Sequence, residues 1–113
     1  MDEERARELL RAERARIEGR LRELGPSPDD ELSDADQHLA DEATDLYEDE
    51  YEAGLAERLR AELEAVERAE ARLADGTYGL SIESGEPIPD ERLEAVPTAE
   101  RTAEEQERFE RGR

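Results

Sequence analysis

Leu10, Ile17, Leu21 and Leu24 recur at spacings of seven, four and three residues, the repeat of a narrow apolar stripe on a coiled-coil-like helix. Glu and Arg alternate around that stripe and are placed to form i,i+4 pairs worth roughly 0.2–0.5 kcal/mol each. The pattern predicts a helix over residues 2–24, stopped by Gly25 and Pro26, the usual glycine past the end with proline beyond it. A second and longer pattern covers residues 33–75. Leu39, Ala43 and Leu46 begin an apolar edge that Tyr47, Tyr51, Leu55, Leu59, Leu63, Val66 and Leu73 take over. Repeated steps of four make this stripe drift around the helix instead of keeping a strict heptad. The segment holds no proline and a single glycine, Gly54, expected at a bend or a close helix approach. Ser33 or Asp34 is placed to cap its start.

A helix of that length cannot be buried within a domain of 113 residues, so a partner helix must cover its stripe, and residues 2–24 are the long segment that can. The expected fold is therefore mostly α: an antiparallel two-helix coiled-coil hairpin over residues 1–75, with its tip near 25–43. After Asp75 and Gly76 the period changes. Thr77, Tyr78, Leu80 and Ile82 read as a short strand, residues 83–86 as a turn, and Pro87 and Ile88 as the return strand. Pro89 and Asp90 start a short helix through Arg92, Leu93 and Ala95, broken at Pro97, and Thr98 is expected to cap a last helical segment anchored by Phe109. Residues 76–113 thus form a small αβ lobe.

Charge sharpens this picture. Residues 1–24 carry seven acidic and seven basic side chains, residues 29–52 twelve acidic and none basic, and residues 53–113 sixteen acidic against nine basic, for a net charge of −19. So anionic a surface repels nucleic-acid phosphates and anionic membranes, and it attracts a basic protein groove. Direct DNA binding is not expected. All sixteen basic residues are Arg, and cysteine is absent, which excludes disulfides and thiolate metal sites. No apolar run approaches the roughly 20 residues of a membrane span, and no signal-peptide pattern opens the chain, so the cytoplasm is the expected compartment. An enzyme is not expected: there is no cysteine nucleophile, no phosphate-cradling glycine loop and no basis for pairing the single His with a Ser, while paired carboxylates carry little signal among 35 acidic residues.

The segment GTYGLSIESGEPIPDERLEAVPTAERTAEE, residues 76–105, resembles the C-terminal zinc-finger lobe of the DksA/TraR family of bacterial RNA polymerase regulators. Gly76, Thr77, Tyr78, Gly79, Gly85, Ile88, Arg92, Leu93, Ala95, Pro97 and Ala99 match the family pattern in order and spacing. Upstream, Glu31, Leu32, Ser33, Asp36, His38, Ala40 and Asp41 resemble the tip stretch of some members. The four cysteine positions of the pattern are held here by Ser81, Ser84, Thr102 and Glu105. Neutral hydroxyls are poor zinc ligands, so neither zinc nor any other cofactor is expected. Tyr78, Ile82, Ile88, Leu93, Val96 and Phe109, packed near Leu73, are the residues expected to hold the lobe instead, with the Ser and Thr hydroxyls hydrogen-bonded across the former site.

The resemblance also implies a role for the tip. In the family the coiled coil enters the secondary channel of RNA polymerase and carries a D-x-x-D-x-A pattern at its end. Here Asp41 takes the second Asp, Ala43 the Ala, and His38 stands in place of the first Asp. Asp36, His38, Asp41, Ala43 and Asp45 are the expected partner-contacting residues, with Asp41 central. The resemblance implies a monomer acting on core RNA polymerase; family members also work with guanosine tetraphosphate, through basic residues that have no assigned counterparts here. The alternative left by charge alone is an acidic helical hairpin that binds another basic protein or mimics nucleic acid.

Overall fold

The structure, a computed structural model, describes residues 1–25 and 46–112. Four helices occur among them: α1 (Glu3–Leu24), α2 (Leu46–Asp75), α3 (Asp90–Ala95) and α4 (Ala103–Arg111). Glu3 and Glu4 open α1 and Arg22 stands in its last turn, the placement that the helix dipole favours. The end of α2 is closed by Gly76, whose φ of 81° is open to glycine at no steric cost. Its N–H donates to Leu73 O at 3.2 Å and the Thr77 N–H to Arg72 O at 2.9 Å. This pair of bonds is a Schellman closure, and it ends the helix where the glycine signal places it.

The chain falls into two compact units, Met1–Ala15 with Glu64–Arg113, and Arg16–Leu63. In the second unit Ile17 of α1 and Leu59 of α2 are buried, and Arg16 Nη2 donates to Glu62 Oε1 at 3.1 Å. Tyr51, expected in the apolar stripe, is 65% exposed. One heptad back from Leu59 lies Glu52, a full residue of rotation away from Tyr51, so steps of four carry the tyrosine off the seam. Among the described residues nothing lies within 4 Å of where a Cβ on Gly54 would stand, so they make no close approach there, and α2 stays helical through it.

In the first unit Ala6 and Leu10 of α1 and Val66 and Ala69 of α2 are buried. Arg14 clamps Glu70 in two-point fashion, Nε to Oε2 at 3.2 Å and Nη2 to Oε1 at 2.7 Å, the geometry that suits a planar guanidinium. Residues 76–112 complete this unit. The expected strand pair narrows to one antiparallel bridge, Leu80 with Pro87, flanked by Ile88 N–H to Gly79 O at 2.7 Å and Ser81 N–H to Glu86 O at 2.8 Å. Pro87 has no N–H to extend the ladder, and the Ile82 N–H turns instead to Glu100 O at 2.9 Å.

The apolar centre of this part is smaller than the sequence suggests. Ile88, Leu93 and Ala99 are buried, with Tyr78 packed against them; the tyrosine hydroxyl donates to Pro97 O at 2.8 Å, and burial raises its pKa above the ordinary value. Ile82, Val96 and Phe109 are exposed. Phe109 lies under the Arg101 guanidinium, 3.9 Å from ring centroid to Cζ, a cation–π contact rather than a core anchor. Arg5 holds Glu94 of α3 through two bonds of 2.8 and 2.7 Å, while Arg68 and Arg72 of α2 both reach Glu100 Oε2, at 3.0 and 2.8 Å. No helix among the described residues is long and apolar enough to cross a membrane.

Candidate functional site

Asp36, His38, Asp41, Ala43 and Asp45 lie outside the described residues. Ser81, Ser84, Thr102 and Glu105 lie within them, and the fold brings them into one cluster. Ser81 sits where the chain leaves the bridge, and its hydroxyl oxygen accepts from the Glu83 and Ser84 N–H groups at 3.0 and 3.2 Å, a local turn that serine side chains favour. The same hydroxyl donates to Glu105 Oε1 at 2.6 Å, within the range of a hydroxyl bonded to a carboxylate. Glu105 Oε1 also accepts from the Thr102 N–H at 2.9 Å, and Thr102 Oγ1 accepts from the Glu105 N–H at 3.2 Å. These two reciprocal bonds form a capping box at the start of α4.

Helix α4 therefore starts from Thr102, not from Thr98. Thr-x-x-Glu at residues 102–105 is itself the capping signature and was legible in the chain. What the sequence could not show is that Ser81, 24 residues away, aims its hydroxyl at the same carboxylate oxygen.

Both Ser81 and Glu105 are buried, so the charge is sheltered and satisfied by donors. The Ser81 hydroxyl first, then Ser84 and the Thr102 backbone, stabilise the ionised form and pull the Glu105 pKa from its ordinary 4.5 down to about 2. A carboxylate depressed in the folded state contributes stability that is complete above the unfolded pKa and is lost as pH falls toward the folded one. The expected result is a urea midpoint that holds steady down to pH near 4.5 and then declines toward pH 2, with the decline flattened in Glu105→Gln. Unfolding followed by circular dichroism across that range checks it; parallel curves for the two proteins would remove Glu105 as the titrating group.

Comparison with known proteins places this cluster in context. Residues 76–111 match the family described as prokaryotic dksA/traR C4-type zinc finger. The uncharacterized protein YteA of Bacillus subtilis is 46% identical over 74 residues, which cover 66% of this chain and 31% of that protein. The RNA polymerase-binding transcription factor DksA of Caulobacter vibrioides is 42% identical over 73 residues, covering 65% of this chain and 51% of that protein. The matches thus span about half, or less, of these curated relatives' length. The solved structure of transcription factor DksA2 from Pseudomonas aeruginosa aligns with a TM-score of 0.62 at 34% identity, covering 96% of this chain and 83% of that one.

The chain belongs to the DksA/TraR family. A four-cysteine zinc centre is what the DksA/TraR lobe description implies, and the donor set of this chain does not fit it. The chain has no cysteine; Ser81, Ser84 and Thr102 present neutral hydroxyls, and the Glu105 carboxylate is already engaged by Ser81 Oγ and the Thr102 N–H. Zinc takes deprotonated sulfur, neutral imidazole or free carboxylate. Among the described residues no group of three or more His, Cys, Asp or Glu is arranged to hold a metal ion. In this DksA/TraR chain the cluster is a hydrogen-bonded joint between the turn at residues 81–84 and the N-terminus of α4.

Proposed function

We propose that this DksA/TraR chain regulates transcription initiation by binding RNA polymerase and placing the acidic tip between α1 and α2 in the secondary channel, with Asp41 as the principal contact and Asp36, His38, Ala43 and Asp45 around it. The observation that carries this reading is the concentration of twelve acidic and no basic side chains in residues 29–52, in a chain whose similar Caulobacter vibrioides protein is an RNA polymerase-binding transcription factor. An anionic tip is steered toward a cationic channel and excludes nucleic acid as its own ligand. The protein acts as a cytoplasmic monomer and does no chemistry of its own: Asp41 biases the mobile elements of the polymerase through charge, shifting populations it favours.

The test is in vitro transcription with cognate polymerase, together with capture of core polymerase from purified components. Asp41→Asn keeps the shape and removes the charge. One charged contact is worth about 1–2 kcal/mol, so the concentration giving half-maximal effect is expected to rise roughly 5- to 30-fold, with the difference shrinking as salt is raised. Equal effects of the two proteins would take Asp41 out of the mechanism, and failure to capture polymerase would end the reading itself.

A further inference from the structure

We infer that the lobe has replaced a metal centre half by half with two side-chain-to-backbone motifs, joined by the buried bond from Ser81 to Glu105, so that this contact fixes the lobe without any ion. The spacing explains how. A cysteine pair in a C-x-x-C half-site stands at i and i+3, and each half-site here keeps that spacing with a different chemistry. At Ser81-x-x-Ser84 the first hydroxyl gathers the Glu83 and Ser84 N–H groups; an oxygen acceptor at this position closes the same turn that a sulfur would. At Thr102-x-x-Glu105 the i,i+3 spacing is that of a capping box, and both of its reciprocal bonds are made.

Two closed half-sites do not make a joint unless something crosses between them. The 2.6 Å bond from Ser81 Oγ to Glu105 Oε1 does so, across 24 residues of chain. It is buried at both ends, each residue being 5% exposed, where water does not compete for the donor or the acceptor. The carboxylate sits at the first turn of α4, where the helix dipole favours negative charge, so the charge that crosses the joint is stabilised from the helix as well as from the hydroxyl. A neutral residue at 105 could accept from Thr102 without that gain. The inference is independent of polymerase binding, because it concerns only how residues 81–105 hold together.

Amide hydrogen exchange and urea unfolding of the full chain test it, each run with EDTA, with added zinc chloride, and with neither. The expected result for the wild type is one midpoint and one set of slow amides at Glu83, Ser84 and Thr102 in all three solutions. Ser81→Ala is expected to speed exchange at Glu83 and Ser84 at least about tenfold, since it removes the acceptor that both share. Combined with Glu105→Ala, it is expected to shift the midpoint by clearly less than the sum of the single shifts, the sign of a direct contact. Should Glu105→Ala not fold, Glu105→Gln, which keeps an acceptor oxygen for the Thr102 N–H, carries the same comparison. A wild-type midpoint that falls in EDTA or rises with zinc would overturn the inference, and so would additive single shifts.

Discussion

Leu93→Ala is expected to destabilise the first unit by about 2–5 kcal/mol and to open residues 76–112 to amide exchange ahead of the rest of the chain. Leu93 is fully buried, and the cluster it belongs to holds only Ile88, Ala99 and the flank of Tyr78 besides. One of its methyl carbons, Cδ1, stands 3.5 Å from where a Cβ on Gly79 would be, so the glycine is part of the space this leucine fills. With three buried apolar side chains in place of a metal, deleting one leaves a cavity that few neighbours can collapse into. Phe109→Ala is the control. Although phenylalanine is the larger residue, it is 41% exposed and lies against the Arg101 guanidinium, and its loss is expected to cost less than about 1 kcal/mol. Urea unfolding by circular dichroism, with residue-resolved exchange to locate the loss, separates the two. A small effect at Leu93 with a large one at Phe109 would mean the apolar centre lies elsewhere.

Glu100→Ala carries the second large effect, about 1–3 kcal/mol. Its side chain is 18% exposed and faces Arg72, itself 15% exposed, and Arg68, 54% exposed. Burial alone would raise the Glu100 carboxyl, and the hydrogen bonds and charges of Arg68 and then Arg72 override it, holding its pKa below the ordinary value. Removing the carboxylate strands the sheltered Arg72 guanidinium, and leaving one partner of a half-buried pair unmatched costs more than the pair contributes when intact. Arg68→Ala, at the exposed end, is expected to cost less than about 1 kcal/mol. Replacing Arg72 and Glu100 together by Met and Leu is expected to recover most of the Glu100→Ala loss, because no stranded charge remains. A double variant worse than either single change would show that the pair stabilises by attraction rather than by mutual satisfaction.

Much of the architecture was readable along the chain because it is local. The stop at Gly25, the closure at Gly76 and the short helix from Asp90 to Ala95 follow from residues within one turn of the event. Leu10, Ile17, Leu59 and Val66 are buried where their spacing places them. Four expectations failed for one shared reason. Tyr51, Ile82, Val96 and Phe109 are large and apolar, and each is exposed, because hydrophobicity says what a side chain gains from burial and not whether a partner surface exists to bury it. The strand pair shrank to one bridge because Pro87 and the diversion of Ile82 to Glu100 leave too few N–H groups to pair. Helix α4 starts at Thr102 rather than Thr98 for a simpler reason: the Thr102 and Glu105 side chains close a capping box there.

By itself the amino-acid sequence determined the helical periods, the turn closures, the one-sided acidity of residues 29–52 and the loss of every thiolate, since each of these is a property of residue type and spacing alone. Only the tertiary structure decided that Ser81 and Glu105, 24 residues apart, share one buried hydrogen bond, and that Glu100 gathers two arginines from α2. Such contacts depend on how the chain returns to itself, and a carboxylate carries the same sequence signal whether it ends in water or between donors.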